Sequence, residues 1–173
     1  MKKTFFISSV IILFGLSLIS QADEPYAPKL KAPSNIKEGS PAYLGVVMLK
    51  SAEVPPKSSV GIPPYPGALI IQTTKGMEME IRGNKQTCYP YIKMLSSDDG
   101  DTVISFYKEK LKGYKYVNQF GGMIRVFWQG NEDFNPMDMD QRCTTVAVQV
   151  SDGDIYKELM PDVKSSIEIT YQP

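Results

Sequence analysis

Asp99 to Lys112 is the one long helical stretch in this chain, and the segments around it alternate with the period of strands. Val103, Phe106, Tyr107, Lys110 and Leu111 recur at three-and-four spacing, which draws one stripe along a helix. Ser96, Ser97 and Asp98 offer N-caps, and Asp99 and Asp101 put negative charge on the helix's positive end. Lys108, Lys110 and Lys112 suit the opposite end, where Gly113 supplies the left-handed stop. The strand candidates are Ala68–Thr74, Met77–Ile81, Thr87–Leu95, Lys115–Gln119, Met123–Gln129, Cys143–Val150 and Ser166–Tyr171. Met77, Met79 and Ile81 share one face and read as core-facing, and Pro90 marks an edge or bulge. A short helix over Asp154–Met160 ends at Pro161. One long helix cannot cover both faces of such a sheet. The expected fold is therefore α+β: a single antiparallel sheet with the main helix packed on one face and a short second helix.

The N-terminus carries an address. Lys2 and Lys3 precede a 15-residue apolar run, Phe5 to Ile19, and Ser20-Gln21-Ala22 presents small residues for cleavage. The run is shorter than the ~20 residues a helix needs to cross a bilayer. No cysteine follows it, so no lipobox is present. Residues 1–22 are expected to be a cleaved signal peptide, leaving a periplasmic or secreted protein with no membrane anchor. Loss of Lys2 and Lys3 leaves 17 bases against 19 acids, a balance that argues against a nucleic-acid partner. In an oxidising compartment Cys88 and Cys143 are expected to pair as a structural disulfide.

Nine of the thirteen prolines fall between Asp23 and Pro66. Proline removes amide donors and biases its neighbours toward extended backbone. Residues 23–62 are expected to form a proline-rich leader, flexible from Asp23 to about Lys37, with 43–50 apolar enough to form a short strand or to dock on the domain. The compact domain is expected at 63–173.

Several landmarks recur in a familiar order: Tyr65-Pro66-Gly67-Ala68 before the first strand, Phe106-Tyr107-Lys108-Glu109-Lys110-Leu111 on the helix, then Gly113-Tyr114, and Ile167-Glu168-Ile169-Thr170-Tyr171 at the close. This pattern resembles a group of uncharacterised secreted bacterial α+β domains. The resemblance spans about Tyr65 to Tyr171 and implies a fold without implying an activity.

The chain has no histidine. That removes Ser-His and Cys-His nucleophiles, histidine zinc sites and the usual near-neutral proton shuttle. Ser34–Lys37 and Ser105–Lys108 match S-x-x-K but lack the partner motifs of penicillin-recognising enzymes. Asp98, Asp99, Asp101, Asp152 and Asp154 stand where helices begin and read as caps. The loop Asn131–Arg142 has no regular pattern, and Glu132, Asp133 and Asp138 within it are the candidates for a carboxylate-dependent hydrolase of envelope glycans. Met137 and Met139 in the same loop are candidate copper ligands, since thioethers are soft donors. Lysines and tyrosines interleave from Tyr107 to Tyr116, as on a solvated helix end followed by a strand. Tyr89, Tyr91, Tyr114, Tyr116, Phe127, Trp128 and Phe134 are candidates for an aromatic binding patch. No catalytic residue is assigned and no cofactor is called for. The expectation is an exported, non-enzymatic module that binds an envelope protein or a small ligand through the sheet face or the Asn131–Arg142 loop.

Overall fold

A computed structural model of the protein describes residues 23–40, 42–81, 83–130 and 134–173. Residues 1–22, expected to be a signal peptide, and Glu132 and Asp133 lie outside the described residues. The elements run α1 (Tyr43–Ser51), β1 (Leu69–Thr74), β2 (Met77–Ile81), β3 (Asn84–Cys88), β4 (Tyr91–Ser96), α2 (Gly100–Lys110), β5 (Lys115–Gln119), β6 (Ile124–Trp128), α3 (Met139–Thr144), β7 (Ala147–Asp152) and β8 (Ser165–Thr170). Six strands form one sheet in the order β1-β4-β8-β7-β6-β5, with every neighbouring pair antiparallel. The α+β class is as the alternation predicts.

Helix α2 closes one face of that sheet. Val103, Ile104 and Tyr107 lie in one buried cluster with Ile92, Met94, Ile167, Ile169, Val148, Val150 and Phe127. The N-cap is Asp99 and none of Ser96, Ser97 or Asp98: its side chain accepts from the Thr102 N–H at 2.8 Å and the helix starts at Gly100, while Gly113 beyond the helix has φ +91°, as the sequence predicts.

Strands β2 and β3 do not join the sheet. They pair only with each other, in a hairpin inserted between β1 and β4. The predicted single strand Thr87–Leu95 is thus two strands, broken at Tyr89-Pro90, where proline has no N–H for a ladder. Gly76 lets the hairpin fold back, because a Cβ there would sit 3.0 Å from the Cys88 carbonyl oxygen. Met77 and Met79 consequently stay 47% and 38% exposed, and the core-facing assignment is corrected.

Residues 43–50 form helix α1 and not a strand. Val46 and Leu49, three apart, are its buried positions, while Leu44 and Val47 face outward. An unbroken apolar run of this length does not declare its own period. The Lys29 ammonium donates to the Lys50 and Ala52 carbonyls at 3.2 and 2.7 Å, satisfying acceptors at the helix end. The stretch predicted as a flexible leader is packed. Tyr26 is 2% exposed, its N–H bonds the Pro55 carbonyl and its hydroxyl donates to the Ile62 carbonyl at 2.8 Å. Leu30 and Ile70 N–H groups bond across to Ile70 and Pro28, so the leader covers the outer edge of β1.

Two smaller differences concern helices. Cys143 lies in α3, and its strand begins only at Ala147; the predicted helix after Asp154 is one 3-10 turn at Asp154–Tyr156.

Candidate functional site

The face of the sheet opposite α2 is divided. Ile71, Leu95, Met160 and Val163 cluster at one end, and Val126, Trp128, Phe134 and Ala147 at the other. Between them the strands present polar side chains. Lys93 and Glu168 stand directly opposite each other in register, with Nζ and Oε2 3.0 Å apart. Arg142, from α3, reaches the other oxygen of the same carboxylate at 3.3 Å. Burial pulls the Lys93 ammonium down, but the Glu168 carboxylate outweighs it and holds the lysine above its ordinary range. Beside this triad the Gln72 amide donates to the Tyr91 hydroxyl, and burial pushes that hydroxyl up against the opposing pull of Lys93.

Where β1, β4 and β8 meet the β2–β3 hairpin and α3, these elements line an open cavity of about 170 Å³. Met77, Met79 and Met139 line it together with Tyr89 and Tyr91. The Cys88–Cys143 disulfide forms part of the wall, and Arg142, Glu168 and Thr170 supply polar atoms.

The wall is tied at several points. Besides the disulfide, the Tyr89 N–H bonds the Cys143 carbonyl at 2.8 Å and the Gln86 amide donates to the Asp140 carbonyl at 2.8 Å. Helix α3 is started by Asp138, whose side chain accepts from the Asp140 N–H at 2.9 Å. That carboxylate, a hydrolase candidate in the sequence, serves as a cap.

Comparison with known proteins finds no matching family model, no matching curated protein and no matching solved structure. The site is therefore read from its own chemistry.

The sequence candidates separate into groups. The cysteines form the expected bridge, across a separation of 55 residues. Tyr89 and Tyr91 reach the cavity. Tyr114, Tyr116 and Phe127 go to the α2 side, where Phe127 is buried and the Tyr116 ring lies 4.7 Å from it. Trp128 and Phe134 stack 5.4 Å apart on the opposite face. These aromatics do not make one patch, because neighbours along a strand point to opposite faces. Of the loop methionines, Met139 lines the cavity, while Met137 stands 65% exposed outside its lining. Arg142, Glu168 and Thr170 are site residues that the sequence reading passed over, and Met77 and Met79, a thioether pair in the sequence, are ones it set aside as core-facing. Glu168 in I-E-I-T-Y carries a readable signal, since strict alternation sends it to the face opposite Ile167 and Ile169. Among the described residues, no group of three or more His, Cys, Asp or Glu is placed to hold a metal ion. No described helix is long and apolar enough to cross a membrane.

Proposed function

We propose that the protein is an exported, non-enzymatic binding module whose site is the cavity between the β2–β3 hairpin, α3 and the ends of β4 and β8. The observation that carries this reading is the set of half-exposed methionines and tyrosines around a cavity whose walls are cross-linked. Apolar lining with a few convergent polar groups is the usual character of a ligand site. At about 170 Å³ the space is below the ~300–1,000 Å³ of pockets for drug-sized molecules, so it takes a small ligand or one protruding group. The signal segment and the disulfide support export, since such bridges persist in oxidising compartments.

Methyl-labelled methionine makes the test direct. The protein is titrated with the small-molecule fraction of its own envelope, and methyl resonances are followed by NMR. Shifts at Met77, Met79 and Met139 are expected, with Met94 in the core and Met123 on the β5–β6 turn unmoved. Filling the mouth with Met79→Trp is expected to abolish the response. Shifts centred on Met123, or chemical conversion of a component of the fraction, would overturn the reading.

A further inference from the structure

The cavity lining joins methionines from two parts of the chain. Met77 and Met79 lie on one face of β2, two residues apart, and Met139 is the first residue of α3. All three stand well exposed, at 47%, 38% and 55%, whereas Met94 in the core is fully buried. Methionine used as a core filler is placed as Met94 is.

The register explains how these positions are held together. Met77 pairs across the hairpin with Cys88, which is bonded to Cys143 of α3. Met79 pairs with Gln86, whose amide bonds the carbonyl of Asp140, the neighbour of Met139. Each thioether-bearing position of β2 is thus linked to α3 through one residue of β3. Such a scaffold fixes the backbone positions of the three methionines relative to one another before anything binds.

The donors around the cavity are correspondingly soft. The chain has no histidine, and both cysteines are consumed in the disulfide. The carboxylate in the lining, Glu168, is held by Lys93 and Arg142, and Lys75 on the rim is paired with Glu53 at 2.9 Å. Neutral thioethers select Cu(I) over harder divalent ions.

We propose that Met77, Met79 and Met139 form a three-thioether site for Cu(I) at the mouth of this cavity. The proposal rests on the cavity being the binding site and names its ligand. Thioethers carry no proton to lose, so Cu(I) affinity should stay flat from pH 5 to 7.5, where thiolate and imidazole sites weaken as they protonate.

The test uses the full chain, exported and recovered with its disulfide closed, under ascorbate and without oxygen. Ascorbate keeps copper as Cu(I), and the intact mass checks the bridge. Competition with a chromophoric Cu(I) chelator should give one ion per chain. Met77→Leu, Met79→Leu and Met139→Leu should each weaken binding at least tenfold, and the triple variant should abolish it. Leu for Met conserves volume, so thermal midpoints should hold. Met123→Leu should change nothing, and X-ray absorption should place only sulfur in the first shell. Binding that survives the triple substitution, nitrogen or oxygen donors in the first shell, or no uptake by the wild type would overturn the copper site. If the wild type takes no Cu(I) while the envelope fraction still shifts the three methyls, the cavity reading survives the copper inference. If neither probe moves them, both fall.

Discussion

Ile169 and Glu168 are neighbours in β8, yet they belong to opposite kinds of surface. Ile169 is fully buried beneath α2, with Ile92 and Val148 beside it in register. Glu168 faces away, between Lys93 on β4 and Gln149 on β7, under the reach of Arg142. The closed face is held by non-directional burial of aliphatic area, and the middle of the open face, between its two apolar clusters, by a few charged and hydrogen-bonded contacts of defined geometry. Burial stabilises a fold without specifying a ligand; placed polar and thioether groups do the reverse. The two faces therefore divide stability and recognition between them.

The largest effect should come from the closed face. Ile169→Ala removes buried methyl groups and leaves a cavity, at a cost of ~2–5 kcal/mol, read from the urea midpoint. A loss below that of any open-face variant would undo the division. Opening the disulfide comes next. With the cysteines 55 positions apart in sequence, the chain-entropy ceiling is ~4 kcal/mol, and native strain commonly brings the measured value lower. Cys88→Ser with Cys143→Ser should lower the urea midpoint, and the methyl signals of Met77, Met79 and Met139 should broaden while that of Met94 stays sharp. Broadening of Met94 would mean that the hairpin and the sheet are one cooperative unit.

Glu168→Gln leaves Lys93 and Arg142 without their common carboxylate. The three side chains are partly exposed, so solvent screens the loss to ~1–2 kcal/mol, below that of Ile169→Ala. A double-mutant cycle with Lys93→Met measures the coupling, and zero coupling would demote the pair to a surface contact.

The smallest effect is the lysine's share of alkaline unfolding. Because the folded Lys93 lies above its unfolded value of ~10.4, its contribution is complete below that pH and is lost as pH rises through the folded pKa. The phenols act in the same direction. Burial and the Asp98 hydrogen bond push Tyr65 up to about 12, and burial raises Tyr26 and Tyr107 further. Urea midpoints should be level from pH 8 to ~10 and fall above it. In Glu168→Gln the lysine's part of that fall should be gone and the tyrosine part retained.

Much of the fold was legible because its signals are local. The acidic start of α2, the stop at Gly113 and the alternation I-E-I-T-Y are each complete within a few residues. The site was legible only in fragments: Tyr89, Tyr91, Met139 and the cysteine pair were singled out, but Met77 and Met79 were assigned to the core. Their alternation is the same whether a sheet or open space lies against them. The leader misled for a related reason. Proline marks extended backbone, and extended backbone is equally suited to a loose tail and to a strap along a strand edge.

By itself, then, the sequence determined the antiparallel α+β class, the main helix with its caps and the expected partner of each cysteine, because period, capping and oxidation state are properties of short segments or of residue counts. Tertiary structure alone decided that β2 and β3 leave the sheet, that residues 43–51 coil into a helix, and that Met77, Met79 and Met139 line one cavity with Glu168. These depend on contacts between separate segments, 21 residues apart for Lys29 and Lys50 and 55 for the two cysteines, and whether a face is core or rim is set by what packs against it.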